Sequence, residues 1–416
     1  MAADASTDAA STVTAQDVAR ARTAIGDVAR HTPVLPSATL SERCGGDVLL
    51  KAESLQRAGS FKIRGALSKL HALGDGCARG VVCGSAGNHA QALAMAAQAR
   101  GVPCEVFMPD GAPIAKVEAT AALGARVVIG GGSVDDCLVL AQARADETGM
   151  AFVHPFDDPD VVAGQGTLGL ELLADLPELA TIVVPVGGGG LASGVAIAVK
   201  SARPEVRVVG VQVETVAAFP ASLKAGHPVA VGTGLTIADG IAVKRPGDLT
   251  LALIDRWLDD MVVVGEDVVA DAMVLLMEKA KLVVEGAGAV GVAALLGGQI
   301  AAAERGTTCV ILSGGNVDAG LLATIARRHE TEAGRRMVLL TRVPDRPGAL
   351  ASLLDSVADT GANIVEVSHL REGIGLHVRE TGVQLTIETR SREHAAAVED
   401  AVREAGYGVS RYPDAH

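Results

Sequence analysis

The sequence predicts an α/β protein with parallel sheets over most of its length and a smaller, separate α/β module at the C-terminal end. Two observations predict this. From about residue 16 to 330, short β-branched segments alternate with helical segments rich in alanine and leucine. From residue 337 onward, the segments follow the order βαββαβ. Strands that are apolar along their whole length are typical of parallel sheets covered by helices on both faces.

The first region contains predicted strands with helices between them. The strands are 81–83, 104–109, 126–130, 181–186, 207–214 and 307–313. The helices are 88–100, 113–123, 134–147 and 191–202. This alternation is the pattern of a parallel α/β domain.

The C-terminal module has a different order of strands and helices. Its predicted strands are 337–343, 363–370, 377–389 and 407–412, and its helices are 345–361 and 391–406. In the first helix, Pro347 lies near the first helical position and Gly361 lies past the end, where these residue types are favoured. The order is that of the ferredoxin-like split βαβ unit.

Composition and charge exclude several classes of protein. The net charge of −13 argues against nucleic acids and anionic membranes as partners, because neither is attracted to an acidic surface. Six cysteines without a CxxC pair indicate reduced thiols. No apolar segment approaches the roughly 18 to 20 residues of a membrane span. We therefore expect a soluble cytoplasmic protein that acts on a small molecule.

The most informative loop is VPVGGGGLASG (184–194), in which a strand leads through four glycines into a helix. Clustered backbone N–H groups at a helix N-terminus form a site for phosphate. Dinucleotide binding is an alternative, because residues 187–192 fit G-x-G-x-x-G/A and Glu214 ends the next strand. That alternative predicts a nicotinamide-dependent oxidoreductase, but it leaves Lys62 and the other glycine loops unexplained.

Two further glycine loops follow predicted strands. GSAGNHAQ (84–91) places Ser85 and Asn88 at the start of a helix, where free amides bind a carboxylate. Taken alone, either residue is more often an N-cap. SGGNVD (313–318) places Ser313 at the end of a strand, where ligands of parallel sheets bind. An ordinary strand-end turn is the alternative there.

The segment SFKIRGAL (60–67) places Lys62 after Phe61 at the start of a helix. The first turn of a helix disfavours a cation, because the macrodipole is positive there. A solvated charge is the ordinary alternative for a lysine. Beside a phosphate loop, however, a lysine that forms a Schiff base indicates a pyridoxal phosphate site.

Together these motifs resemble those of the fold-type II pyridoxal phosphate enzymes (the tryptophan synthase β-like fold), and most closely those of the threonine ammonia-lyase (threonine dehydratase) family. The resemblance covers about residues 16 to 330, with all four motifs in family order. The C-terminal module resembles an ACT domain, with VPDRPGAL (343–350) matching its first strand-to-helix loop. The resemblance thus implies a lyase with one regulatory ACT domain.

The resemblance implies a role for each motif residue. Lys62 would form the Schiff base with pyridoxal 5'-phosphate, Phe61 would pack on the cofactor, and Asn88 would bind its 3-hydroxyl group. Ser313 would face the pyridine nitrogen. The substrate carboxylate would be held by Ser85 and by the amides of Ala86, Gly87, Asn88 and His89. The phosphate would lie on Gly187, Gly188, Gly189, Gly190 and Leu191.

The implied reaction is β-elimination of L-threonine to 2-oxobutanoate and ammonia, and of L-serine to pyruvate, in isoleucine biosynthesis or threonine catabolism. A neutral hydroxyl at Ser313 does not hold the ring nitrogen protonated as an aspartate would, which suits reactions with a β-leaving group. Serine racemase is the alternative within the family, and by resemblance it has a second serine where this chain has Ala86. An amino-acid sensor without catalysis is a further hypothesis.

The resemblance also implies regulation and assembly. An amino-acid effector would bind at Asp345, Arg346, Pro347 and Gly348, and the chain would form a homodimer or homotetramer. A metal stays open, since Glu214 belongs to only a partial match to a cation site of some relatives. Glu285 either lies behind the cofactor ring or is a carboxylate at a helix N-terminus.

The expected domain boundaries follow from the motifs and the changes in pattern. A disordered lead-in (1–15) precedes the catalytic domain (16–326), in which a small subdomain (about 54–155) is inserted in a larger one. A charged linker (327–336) leads to the ACT regulatory domain (337–416).

Overall fold

The computed structural model describes residues 13–232, 234–371 and 376–411. These residues divide into two compact units, one ending at Val317 and the other beginning at Asp318. Each unit has its own hydrophobic core. Within the described ranges, no helix is long and apolar enough to cross a membrane.

The strands of the first unit alternate with helices, as the sequence predicts. The strands are β1 (Val34–Pro36), β2 (Asp47–Ala52), β3 (Val81–Gly84), β4 (Cys104–Met108), β5 (Arg126–Ile129), β6 (Ala151–Phe152), β7 (Leu179–Pro185), β8 (Arg207–Val213), β9 (Asp260–Val264) and β10 (Thr307–Leu312). The helices that precede β7 are α1 (Ala15–Ile25), α2 (Ala38–Cys44), α3 (Lys62–Leu73), α4 (Asn88–Arg100), α5 (Ile114–Ala122), α6 (Val134–Thr148) and α7 (Pro159–Asp175). Those that follow it are α8 (Gly190–Ala202), α9 (Ala218–Ala225), α10 (Asp248–Trp257), α11 (Glu266–Leu275) and α12 (Gly286–Leu296).

The larger sheet has the strand order β1-β2-β10-β7-β8-β9. β1 is antiparallel to β2, and every other neighbouring pair is parallel. The parallel α/β architecture predicted from the sequence is therefore confirmed. Because β7 and β10 are neighbours, the chain leaves the sheet at adjacent points after each of them, where ligands of parallel sheets bind.

The smaller sheet has the order β5-β4-β3-β6 and is parallel throughout. Its strands all lie between β2 and β7 in the sequence. Small side chains let the helices approach this sheet closely. At Gly84, for example, an added Cβ would collide with the backbone of Cys137 in α6.

Polar side chains explain where several helices begin. Thr14 forms a capping box with Asp17 at the start of α1. This cap lies at the end of the predicted lead-in (1–15), of which residues 1–12 lie outside the described residues. Asp158 accepts from two amides at the start of α7, where proline occupies the first helical position.

A buried ion cluster joins α3 to α7 and β2. Arg64 binds Glu53 at 2.7 Å and Glu171 at 2.7 Å, and Lys51 binds Glu171 at 2.8 Å. All four side chains are buried. Burial disfavours the cation of Arg64, but its pairing with Glu53 and Glu171 outweighs this and raises its pKa. This cluster, which we call the Arg64 cluster, consists of Lys51, Glu53, Arg64 and Glu171.

The second unit follows the predicted βαββαβ order after an initial helix. Its elements are α13 (Ala319–Glu332), β11 (Arg336–Pro344), α14 (Ala349–Ala358), β12 (Asn363–Leu370), β13 (Glu380–Glu388), α15 (Arg392–Glu404) and β14 (Val409–Arg411). The strands form an antiparallel sheet in the order β12-β13-β11-β14. The segment 327–336, which we expected to be a linker, is the second half of α13 and the turn into β11. Residue 412, the end of the predicted last strand, lies outside the described residues.

Candidate active site

Lys62 is the first residue of α3, and its side chain is partly buried. Its Nζ donates a hydrogen bond to the carbonyl oxygen of Pro155 at 2.8 Å and lies 5.3 Å from the centre of the Phe61 ring. Burial lowers the pKa of Lys62 to about 8, although the nearby Glu285 acts to raise it. A lysine with a lowered pKa is a nucleophile near neutral pH, whereas a solvated lysine is a cation.

The turn before Lys62 pairs with the loop after β10. The amide of Phe61 donates to the carbonyl oxygen of Ser313 at 3.1 Å, and the amide of Gly315 donates to the carbonyl oxygen of Gly59 at 2.9 Å. An isolated antiparallel bridge between Ser60 and Gly314 lies between these bonds. Two motifs that are far apart in the sequence are thereby adjacent, and Ser313 lies next to the start of α3.

Asn88 is the first residue of α4, and its side chain has two partners. Its Nδ2 donates to Oε1 of Glu285 at 2.6 Å, and its Oδ1 accepts from Nδ2 of Asn316 at 2.7 Å. The N-cap of α4 is Gly87, so the alternative that Asn88 is an N-cap is wrong. Sequence reasoning missed Asn316, although it lies within the SGGNVD motif.

Glu285 precedes α12, but its side chain makes no capping bond to that helix. Instead it binds Asn88, and an added Cβ at Gly314 would fall on its carboxyl group. Burial raises the pKa of Glu285 to about 7, with the charge of Asp239 acting in the same direction and the bond from Asn88 against it. Glu285 is therefore a carboxylate at a helix N-terminus, as one of the two interpretations holds, but its side chain bonds to Asn88 and not to the helix.

The loop before α4 presents backbone amides. Ser85 is buried, and its Oγ accepts from the amide of Gly87 at 3.2 Å. The ring of His89 contacts the carbonyl oxygen of Val153 at 3.1 Å. Burial lowers the pKa of His89 to about 3, assisted by the charge of Lys62. The imidazole is therefore neutral and bound to the backbone. The groups of this loop that can bind an anion are then its backbone amides.

The glycine loop after β7 packs against the segment that contacts Lys62. An added Cβ at Gly188 would fall inside the ring of Phe156, which follows Pro155 in the sequence. Gly189 is the N-cap of α8 with a φ of 93°, a conformation that side chains disfavour, and no side chain caps this helix. The first amides of α8 are thus open to a ligand, as an anion site at a helix N-terminus requires.

The structure therefore brings together the four motifs of the first unit, whose residues lie around Lys62. The predicted effector residues belong to the second unit. There, Arg346, Pro347 and Gly348 line an open groove, but Asp345 does not. The carboxylate of Asp345 instead binds Arg371 at 3.2 Å.

Across residues 13–232, 234–371 and 376–411, no group of three or more His, Cys, Asp or Glu side chains is placed to hold a metal ion. Glu214, the partial match to a cation site, lies at the start of a short 3-10 helix after β8.

Comparison with known proteins decides what this site is. Residues 25–314 match the family described as pyridoxal-phosphate dependent enzyme. The chain belongs to this family. L-threonine ammonia-lyase of Thermotoga maritima is 44% identical over 398 residues, which are 95% of this chain and 99% of that protein.

Solved structures of the family are also similar. The threonine deaminase of the organism abbreviated T.th. is 41% identical, with a TM-score of 0.69, and the match covers 73% of this chain and 99% of that chain. Maize serine racemase is 35% identical, with a TM-score of 0.72, and the match covers 77% of this chain and 99% of that chain.

The residues present fit pyridoxal phosphate, the cofactor of the family. The amine of Lys62 has a lowered pKa, the uncapped start of α8 offers amides to a phosphate, and Asn88 is held for a polar contact. Membership of this family overturns the nicotinamide interpretation of the 187–192 glycines. Residues 187–192 lie within the region, 25–314, that matches the pyridoxal-phosphate dependent family.

Proposed function

We propose that this protein is an L-threonine ammonia-lyase that converts L-threonine to 2-oxobutanoate and ammonia and also accepts L-serine. The observation that carries the proposal is the amine of Lys62, which donates to the carbonyl oxygen of Pro155 at 2.8 Å beside the glycine loop. The near full-length similarity to an L-threonine ammonia-lyase, at 44% identity, supports the same substrate.

Each residue of the site would have a separate role in binding or catalysis. Bound pyridoxal phosphate supplies the electron-withdrawing ring that makes the α-proton of an amino acid acidic. Lys62 would hold the cofactor covalently and, once the amino group of the substrate has displaced its amine, would take the α-proton. Ser85 and the amides of 86–89 would orient the substrate carboxylate, and residues 187–191 would hold the phosphate. Threonine would lose its α-proton and β-hydroxyl as water, and a water molecule would then replace the nitrogen, which leaves as ammonia, to give the 2-oxo acid.

The purified protein tests this proposal directly. We expect a violet absorption band that borohydride bleaches, and release of 2-oxo acid from L-threonine. Lys62→Ala should lose both the band and turnover. Lys69→Ala is the matched control, because Lys69 lies on the same helix but pairs with Asp158 at 2.7 Å and Asp160 at 3.0 Å. Parent-like turnover in Lys62→Ala would exclude the proposed role of Lys62.

A racemase is the second candidate, since the structure of maize serine racemase has a TM-score of 0.72. Racemisation needs a base on each face of the α-carbon, and Ala86 offers no such group in the carboxylate loop. Ala86→Ser should therefore raise the formation of D-serine from L-serine above that of the parent, as measured by chiral chromatography. Abundant D-serine from the parent itself would favour the racemase.

The second unit would be an ACT regulatory domain that binds an amino acid. Its groove is lined by Arg346 and by the start of α14, where Gly348 is the N-cap without a side-chain bond. Glu380 also lines the groove. A cation with free amides suits the carboxylate of an amino acid, and a carboxylate suits its ammonium group. Arg342 lines the groove as well, so the groove offers two cations to a carboxylate and one carboxylate to an ammonium group.

Calorimetric titration of the full chain with isoleucine, valine, threonine and serine tests this regulatory role. We expect at least one to bind and to change the kinetics, and Arg346→Ala to remove both effects. Arg390→Ala is the control, because Arg390 is exposed and bonds to His394 outside the groove. Silence for all four amino acids would leave this unit as an assembly element. We also propose that the protein is cytoplasmic, which agrees with the six free cysteines, and that it forms a homo-oligomer.

A further inference from the structure

The side-chain amide of Asn88 is held at both ends. Its nitrogen donates to Glu285 at 2.6 Å, and its oxygen accepts from Asn316 at 2.7 Å. A primary amide has two N–H groups. Within the described part of the chain, no acceptor meets the second N–H of Asn88. Turning the amide over would place oxygen against the carboxylate of Glu285 and nitrogen against the donor of Asn316, so both bonds would be lost.

Asn316 is itself fixed in one orientation. Its Nδ2 also donates to the carbonyl oxygen of Ala58 at 2.8 Å, so its two N–H groups are both used. Its side chain lies on Gly59, where an added Cβ would collide with it. Ala58 has a φ of 56°, which is rare for a residue other than glycine. Asn316 thereby ties Asn88 to the turn that leads into Lys62.

We propose that Asn316 is a positioning residue for the cofactor: with Glu285, it selects the orientation of the Asn88 amide that leaves an N–H free for the oxygen on the pyridoxal ring. This inference rests on the proposed pyridoxal phosphate site. An N–H group stabilises an oxygen that carries negative charge, whereas the carbonyl of a turned amide would repel it. Neither Asn316 nor Glu285 needs to touch the cofactor for this effect.

Asn316→Asp tests the inference, because aspartate has the same shape but replaces the donor by an acceptor. Two carboxylates then compete for the nitrogen of Asn88. The assay is titration of the apoprotein with pyridoxal 5'-phosphate, followed by absorbance, together with the Tm of the apoprotein. Both are measured at about pH 8.5, above the pKa of about 7 of Glu285. We expect the affinity to fall about tenfold, the effect of one lost charge-assisted hydrogen bond, and the Tm to fall as well.

Adding Glu285→Gln to Asn316→Asp separates positioning from stability. The glutamine donates to the oxygen of the turned Asn88 amide, and the aspartate accepts from its nitrogen, so both bonds return with reversed polarity. We expect the apoprotein to regain part of its Tm, since the bond to Ala58 stays lost, while the affinity for the cofactor stays low because a carbonyl oxygen now faces the ring. Recovery of both quantities together would overturn the inference in favour of a structural role.

Two further variants complete the experiment. Asn316→Ala removes the partner of Asn88 without adding charge, and it should also lower the affinity for pyridoxal 5'-phosphate. It takes the place of Asn316→Asp in the test if that variant does not fold. Asn363→Asp is the matched control, since Asn363 binds Glu388 at 2.9 Å in the second unit, and it should keep the parent affinity. Unchanged affinity in both Asn316 variants overturns this inference alone, whereas a parent that binds no pyridoxal phosphate overturns the proposed function with it.

Discussion

The amine of Lys62, a partly buried lysine, donates to the carbonyl oxygen of Pro155 at 2.8 Å and so has a neutral partner. Two residues later, Arg64 is held by two buried carboxylates. The same helix turn therefore carries one cation that is stabilised by pairing and one amine that is not. Because an unpaired buried ammonium is disfavoured, the pKa of Lys62 falls to about 8, while that of Arg64 rises.

The lowered pKa of Lys62 predicts how cofactor attachment depends on pH. Only the neutral amine has a lone pair to attack an aldehyde, so the rate of attachment to the apoprotein should rise with pH and level off above about 8. A lysine with an ordinary pKa near 10.4 would give a rate that still rises at about pH 10. Stopped-flow absorbance of apoprotein mixed with pyridoxal 5'-phosphate measures this rate. A continued, roughly tenfold rise between about pH 9 and 10 would contradict the prediction.

The Arg64 cluster predicts a large loss of stability when its centre is removed. Arg64→Met should lower the free energy of unfolding by about 3 to 5 kcal/mol, because Glu53 and Glu171 would stay buried with less compensation. Lys69→Met on the same helix should cost less, since its partners Asp158 and Asp160 are 14% and 39% exposed and water can reach their carboxylates once the lysine is gone. Urea denaturation of the apoprotein compares the two. Equal losses would mean that the cluster is not a stabilising centre.

The cluster also predicts a pH dependence of stability. The pKa of Glu171 is lowered: burial acts to raise it, but its bonds to Arg64 outweigh burial. A carboxyl group with a lowered folded-state pKa contributes stability above its unfolded value of 4.5, and that contribution is lost as the pH falls through the folded value. The Tm of Glu171→Gln should therefore be lower than that of the parent near neutral pH, and the difference should shrink below pH 4.5.

The glycine loop predicts that one methyl group disturbs the phosphate site. Gly188→Ala should weaken the binding of pyridoxal 5'-phosphate about tenfold or more, because its Cβ would displace the ring of Phe156. Gly111→Ala is the control, since nothing lies within 4 Å of an added Cβ there. Equilibrium titration of the apoproteins gives both affinities. Parent-like binding by Gly188→Ala would place the phosphate elsewhere.

The hydroxyl group of Ser313 leads to a prediction about the protonation of the cofactor's ring nitrogen. Ser313→Asp should keep the ring nitrogen protonated and reduce 2-oxo acid formation by about tenfold, a change of ~1.4 kcal/mol in the barrier. Ser313→Thr retains a hydroxyl group and should stay closer to the parent. The kcat for L-threonine and the absorption spectrum are the two measurements. If the aspartate variant changes neither of them, Ser313 does not face the ring.

The amino-acid sequence by itself determined the class of fold and the local motifs. The segments of β7, β8 and β10 are mostly β-branched and apolar, so their burial in a parallel sheet is visible in the pattern. β1, β2, β6 and β9 were missed, because β1 has three residues and β6 two, β2 includes Lys51, and β9 begins with Asp260. A charged residue interrupts an apolar pattern in the sequence. The carboxylate that pairs with the buried Lys51 belongs to Glu171 on α7, far away in the sequence.

The tertiary structure alone decided which groups meet. Lys62 and Pro155 are 93 residues apart, Asn88 and Glu285 are 197 apart, and Asn88 and Asn316 are 228 apart. A short motif reveals which residue types are present, because its chemistry is local. The protonation of Lys62 and the orientation of Asn88 depend on burial and on charges or donors within a few ångströms. Those distances are set by how the strands and helices pack, and sequence spacing does not contain them.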